Sequence, residues 1–194
     1  MYNVVKIEDA VQGYFAITVC EPSGNKTYTV RVAVYIEIGT PCRGEVLTDD
    51  MLETIRQADE YYRAKRAALS ILSYGDNNKS TLYTKLRARQ ISDEISAEVV
   101  SEMVALGYID ERRQLARIIA SEANRKLTGP KKIVPKLLSK GYALTDIKAV
   151  LSELCSDGEI DFDENRERLL SKTFGEQRDY EQVKKLLFKY GYDF

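Results

Sequence analysis

The chain opens on an alternating pattern and then abandons it. "GYFAITVC" (residues 13–20) and "TYTVRVAVYIEI" (27–38) are rich in β-branched and aromatic residues, and "EPSGNK" between them is a turn signal. In the second run Val30, Val32, Val34, Ile36 and Ile38 alternate with Thr29, Arg31, Ala33, Tyr35 and Glu37. A period of two with one apolar face predicts a half-buried antiparallel strand. "VVKI", near the start, is a third candidate. A hairpin alone is marginal in water, so this β-hairpin or small sheet is expected to pack on the segments that follow.

From Thr48 the periodicity becomes helical. Thr48 followed by Asp49 and Asp50 reads as a capped helix start, and the charged stretch through "EYYRAKRAALSIL" runs to a break at "YGDNN". Beyond it the sequence repeats. Shifted by about 50 residues, "YTKLRARQ" lies on "VPKLLSKG", "VVSEMVALGYID" lies on "AVLSELCSDGEID", and "IVPKLLSKGY" lies on "VKKLLFKYGY". The pairs include Lys85/Lys136, Leu86/Leu137, Gly107/Gly158, Asp110/Asp161, Gly141/Gly191 and Tyr142/Tyr192. Each unit reads as three helices, with Gly107 and Gly158 placed to end the third helix of their units. The short apolar stripe Val99, Met103 and Leu106 is expected to be buried against neighbouring helices.

The expected fold is therefore mainly α: tandem three-helix repeats in an elongated curved array, behind an N-terminal antiparallel β-hairpin or small sheet. The ranges are 1–46 for the β extension, 47–110 and 111–162 for two full repeats, and 163–194 for a truncated third. Extended repeats of this kind are typically binding surfaces rather than catalytic pockets.

Charge sharpens this picture. The net charge is −1, but residues 1–60 carry 5 basic and 10 acidic side chains, residues 61–140 carry 16 and 8, and residues 141–194 carry 8 and 12. A basic block between acidic flanks points to a polyanion or an acidic protein surface as partner. The chain has no histidine, which removes Ser-His-Asp and Cys-His catalysis and the usual zinc sets. Cys20, Cys42 and Cys155 lack CxxC spacing; a Cys20–Cys42 bridge is disfavoured by the odd count and the apparent cytosolic setting. With no nucleophile–base pair, phosphate-binding glycine loop or metal cluster, neither an enzyme nor a cofactor is expected. No apolar run approaches a membrane span and "MYNVVKIEDA" has no signal-peptide pattern, so a cytoplasmic protein, away from membranes and monomeric, is expected.

Within the basic block, Lys132, Lys136 and Lys140 recur at i, i+4 and i+8 beside the apolar stripe of Ile133 and Leu137. The equivalent positions one repeat earlier are Thr81, Lys85 and Arg89, and one repeat later Gln182, Leu186 and Tyr190. All five of these cations are expected to be exposed, so that their reversal would leave the fold intact. Lys131 and Lys132 also stand in the first turn of the helix opened by Gly129 and Pro130, where the dipole disfavours cations. Two readings are open: an anion-facing helix start, since free N–H groups bind anions, or lysines that swing into solvent. Tyr74, Tyr83, Tyr108 and Tyr142 lie in the same region and are expected to pack against the next helix more than to stack on bases. Pro135 is expected to bend its helix.

"LGYIDERRQLA", "GPKKI" and "LLSKGY", in that order and spacing, closely resemble the RecX family, regulators of the bacterial RecA recombinase. The resemblance covers about residues 60–194. It implies a non-enzymatic modulator lying in the groove of the RecA–single-stranded DNA filament, inhibiting the recombinase and so affecting recombination and DNA repair, with weak direct DNA binding. The filament- or DNA-binding candidates are Lys85, Arg89, Lys131, Lys132, Lys136 and Lys140; the "GYIDE" motif, Gly107 to Glu111, looks structural. Pro135 and "CSDGEID" depart from the family's usual pattern. The alternative is a stand-alone nucleic-acid-binding protein of helix-turn-helix-like units.

Overall fold

The N-terminal alternation does close into a sheet, but it stops earlier than the sequence pattern suggests. A computed structural model describes residues 2–175 and 179–193. Strands β1 (Tyr2–Asp9), β2 (Tyr14–Glu21), β3 (Gly24–Arg31) and β4 (Val46–Leu47) form one antiparallel sheet in the order β3-β2-β1-β4. Glu21 pairs with Gly24, which leaves Pro22 and Ser23 as the hairpin loop. Val4, Ile17, Val19, Tyr28 and Val30 are buried on one face.

The run expected to continue as strand to Ile38 breaks at Arg31, and Val32–Glu37 forms a short helix, α1. The reason is the length of the partner strand. Arg31 lies opposite Tyr14, the first residue of β2, so a longer β3 would have no ladder to join. Unpaired backbone groups are costly when buried, and coiling satisfies them locally. The alternation then loses its meaning: Val34 packs on the sheet core while Ile36 is 62% exposed.

The helices follow the repeat: α2 (Asp49–Ser73), α3 (Lys79–Arg87) and α4 (Asp93–Ala105); then α5 (Glu111–Ala120), α6 (Pro130–Leu138) and α7 (Leu144–Ser156); then α8 (Phe162–Phe174) and α9 (Tyr180–Tyr190). Thr48 caps α2 through its hydroxyl, which accepts from the Met51 N–H at 3.2 Å. Gly107 and Gly158 sit at positive φ just past α4 and α7 (75° and 74°), in the left-handed conformation that ends a helix. Of the expected stripe, Val99 and Met103 are fully buried but Leu106 is 56% exposed, because the chain has already turned out of the helix there.

Contacts divide the chain into two compact units, residues 1–74 with 85–102, and 75–84 with 103–194. This division follows packing, and it cuts α3 after Thr84 and α4 after Glu102. The ranges 1–46, 47–110, 111–162 and 163–194 follow repetition instead, and residues 1, 176–178 and 194 lie outside the described residues.

The first unit holds the sheet against α2. Asp59, buried on α2, accepts from the Thr29 N–H at 2.8 Å and so caps part of the outer edge of β3. In the second unit α5 continues into a π-helical turn, Ser121–Arg125, in which Glu122 and Ala123 are buried. One core of that unit gathers Leu115, Ile119, Ile133, Leu137, Ile147 and Val150 around α6. Another gathers Leu127, Leu169, Leu170, Leu187 and Tyr192.

Those two parts meet where α9 ends on the start of α6. The Gly129 N–H donates to the Tyr190 carbonyl at 2.8 Å, and the Lys131 N–H donates to the Gly191 carbonyl at 3.2 Å. Gly191 is at φ +84°, and it packs on Lys132. The approach leaves no room for a side chain: a Cβ on Gly129 would lie 2.6 Å from the Gly191 carbonyl carbon. φ at Gly129 is −78°, which any residue can adopt, so alanine adds no dihedral strain and the collision comes on top of the modest N-cap preference for glycine. Gly129→Ala is therefore expected to cost about 1–3 kcal/mol through overpacking, read as a lowered urea midpoint. A loss of only a few tenths would show that the two helix ends do not touch as described.

Candidate nucleic-acid interface

Four of the six predicted cations stand together. Lys131, Lys132 and Lys136 are on α6 and Lys140 is in the turn after it, all of them exposed. Ile133 and Leu137 on the same helix are 0% and 1% exposed, so the expected pairing of a basic face with an apolar stripe is present. Lys85 and Arg89 are also exposed but belong to the other compact unit, at the end of α3 and just beyond it, where Arg89 donates to the Lys85 carbonyl at 3.4 Å.

The two lysines in the first turn of α6 lose their oddity once α9 is considered. The N-terminal amides that an anion would use at Gly129 and Lys131 already donate to the α9 carbonyls. These carbonyls form the negative end of one helix dipole against the positive end of another. The anion the sequence suggested is thus supplied, in part, by the chain itself. Lys131 and Lys132 lie at the C-terminal end of α9, where a cation is favoured, and Lys131 makes an ion pair with Asp193. Both partners of that pair are well exposed, so it adds little stability.

Lys136 differs from its neighbours. Its ammonium group lies 2.9 Å from Glu122, whose side chain is only 8% exposed, and Lys126 reaches the same carboxylate at 2.6 Å. Burial pushes the Glu122 carboxyl up, but the hydrogen bonds from Lys126 and Lys136 and their charges outweigh it and hold its pKa below the usual value. Lys136 is therefore both a surface cation and the counter-charge of a buried acid. Helical spacing from Leu115 and Ile119 already puts Glu122 on the buried face, but it does not show that Lys136 lies opposite. The expectation that all the stripe lysines can be reversed without cost to the fold does not hold here.

The C-terminal end of α6 is tied from below. Asn78, 3% exposed, donates to the Lys140 carbonyl at 2.8 Å and accepts from the Thr81 N–H at 2.8 Å. Gln114 donates to the Asn77 carbonyl at 3.2 Å and accepts from the Tyr142 hydroxyl at 3.0 Å. The "DNN" that read as a mere break thus fixes the turn carrying Lys140. Tyr142 packs inside as expected, but Tyr74 is 91% and Tyr108 55% exposed, so packing does not account for these two. α6 runs through Pro135, whose missing N–H leaves the Lys131 carbonyl without its usual helical donor.

Several other basic residues of the block are paired with acids, some of them at the surface. Arg112 pairs with Glu153 at 2.5 Å, Lys79 with Glu111 at 2.9 Å, Arg117 with Asp76, and Lys65 with Glu102 at 2.6 Å. Cys20, Cys42 and Cys155 are free and exposed.

Two measurements separate the lysine that supports the fold from those that only face outward. Lys136→Glu places a second carboxylate beside Glu122 and is expected to cost about 3 kcal/mol. Lys132→Glu and Lys140→Glu should each stay within about 0.5 kcal/mol of wild type in the same denaturation experiment. The pH dependence has a definite sign. With its folded pKa below the unfolded value, Glu122 contributes stability that is present above about pH 4.5 and lost as the pH falls through the folded value. Glu122→Gln should lower the urea midpoint at pH 7 and shrink its difference from wild type towards pH 3. Equal differences at both pH values would remove Glu122 from the acid response.

No family model matches the chain. Curated relatives do. The regulatory protein RecX of Oceanobacillus iheyensis is 24% identical over 180 residues, which cover 89% of this chain and 65% of the relative. That of Clostridioides difficile is 27% identical over 143 residues, 74% of this chain and 63% of the relative. That of Streptococcus pyogenes is 26% identical over 132 residues, 68% of this chain and 49% of the relative. The chain thus spans between about half and just under two thirds of the length of these relatives. Among solved structures, a crystal structure of regulatory protein RecX matches with a TM-score of 0.74 at 22% identity, over 100% of this chain and 95% of that one. RecX from Lactobacillus salivarius matches with a TM-score of 0.60 at 22% identity, over 71% and 91% of the two chains. Both show the same fold. By sequence the chain is similar to curated proteins named regulatory protein RecX.

Proposed function

We propose that this chain is a non-enzymatic, monomeric regulator of the RecA recombinase. On this reading it inhibits the recombinase by binding in the groove of the filament that RecA forms on single-stranded DNA, in the cytoplasm and without a cofactor. The observation that carries the reading is the agreement of sequence relatives and fold on one family of regulatory proteins. The lysine-bearing surface of α6 supports it, because Lys132 and Lys140 are exposed and make no ion pair among the described residues. They are free to meet phosphate or an acidic protein surface. Lys85 and Arg89 are the candidates in the other unit. No helix among the described residues is long and apolar enough to cross a membrane.

The test is DNA-dependent ATP hydrolysis by the recombinase, titrated with this protein. Half-inhibition at a concentration at least about tenfold below that needed to bind bare DNA corresponds to about 1.4 kcal/mol of preference for the filament, and it is the expected outcome. Inhibition only where the DNA is itself coated would favour a stand-alone nucleic-acid-binding protein and overturn the proposal.

A further inference from the structure

α9 carries an outward face that lies outside the lysine register of the repeat. Its buried and half-buried side is Val183, Leu186, Leu187 and Tyr190. The opposite side presents Lys184, Lys185 and Phe188, and Phe188 is 84% exposed. Lys184 and Phe188 are four residues apart, and Lys185 and Phe188 three, so all three share one helical face. Together with Lys132 of α6 they line an open groove of about 580 Å³, which Gly191 and Tyr192 also line. Lys132, Lys184 and Lys185 make no ion pair among the described residues.

Leaving a phenylalanine in water forgoes about 1.5–3 kcal/mol of burial. The apolar side of α9 is complete without Phe188, so the fold gives no reason for an aromatic there. The groove also has a definite electrostatic character. Lys131, Lys132, Lys184 and Lys185 line it together with Glu181 and Asp193, and Asp193 is held by Lys131.

We propose that this groove binds single-stranded nucleic acid, with a base stacked on Phe188 and the adjoining phosphates on Lys132, Lys184 and Lys185. Charge complementarity selects a polyanion, and the placement of the ring selects among polyanions. A pocket for a peptide's apolar anchor would enclose that anchor. Here Phe188 is exposed and not enclosed, which leaves its ring accessible to a planar partner. Single strands supply planar bases and phosphates alternately, and stacking of this kind tolerates any base sequence. The purpose of the site rests on the proposed function, since a regulator seated on a filament meets its single strand. Its binding does not, because it can be read without any recombinase.

The experiment is fluorescence anisotropy of labelled oligo(dT), and of an abasic strand of the same length, with the full chain. Phe188→Ala is expected to weaken oligo(dT) binding about tenfold, in line with 1–3 kcal/mol per stacked base, and to leave the abasic strand unchanged. Lys184→Glu with Lys185→Glu should weaken both strands and make log Kd versus log salt shallower, by about 0.7 per lost phosphate contact. All three residues are exposed, and circular dichroism checks that each variant is folded. Unchanged oligo(dT) binding by Phe188→Ala overturns the proposal. So does equal affinity for an acidic peptide of matched charge with the same Phe188 dependence, since the groove would then be a peptide site. Either failure leaves the ATP hydrolysis titration, and the filament reading it tests, untouched.

Discussion

The C-terminal carbonyls of α9 rest on the N-terminal amides of α6, and much of the second unit is arranged around that contact. A helix start has N–H groups without partners, and a helix end has carbonyls without partners. Here each end supplies what the other lacks. The match requires the backbones to touch, hence glycine on both sides: Gly129, where a side chain would collide, and Gly191, which also needs positive φ. From this contact follow the position of Lys131 and Lys132 beside a negative helix end, and the groove in which Lys132 of α6 meets Lys184, Lys185 and Phe188 of α9. "GPKKI" is thus a docking sequence first. Its glycine and proline make the close approach and the helix start, and its lysines sit where α9 makes positive charge favourable.

The lysines of α6 are held from more than one direction. Lys136 is drawn towards Glu122, and the turn at Lys140 is fastened through its backbone by Asn78. Long flexible side chains on a fixed helix still lose entropy when they bind. The helix itself, however, loses little, because Ile133 and Leu137 anchor it between the two ties. A binding surface made this way can present charge without the ordering cost that a loop would bring.

How much of this was legible in the sequence depends on the range of the interaction involved. Local signals were read correctly: the Thr48 cap, the glycines after α4 and α7, the apolar pair Ile133 and Leu137, and the offset of about 50 residues that sets the helix order. The strand that became α1 was misread because alternation says nothing about whether a partner strand is still alongside, and β2 begins opposite Arg31. Glu122 stands at helical spacing from Leu115 and Ile119, so its inward face is legible, but its pairing with Lys136 on the next helix is not. The role of the first-turn lysines was half legible. Their conflict with the dipole of α6 was visible, but its resolution lies about 60 residues away, at Tyr190 and Gly191. Phe188 lies outside the lysine register of the repeat, which falls in α9 on Gln182, Leu186 and Tyr190, the last two facing inward.

The same distinction bears on what net charge can say about partners. The middle of the chain carries 16 basic and 8 acidic side chains, but a block sum ignores which cations are already engaged. Arg112, Arg117, Lys79 and Lys65 are engaged with acids in the fold, and Lys136 and Lys126 with Glu122. Lys184 and Lys185, by contrast, lie in a segment whose sum is negative and are unpaired among the described residues. Beyond about 8–10 Å such sums are largely screened at physiological salt, so a bound strand responds to the nearby unpaired ammonium groups and not to the total for its segment. By that measure the groove between α6 and α9 is electropositive even though seven of the nine residues lining it come from an acidic part of the chain. Its ring adds an attraction that salt does not screen, which is why base-bearing and abasic strands, and not charge reversal alone, can tell a stacking site from a merely cationic surface.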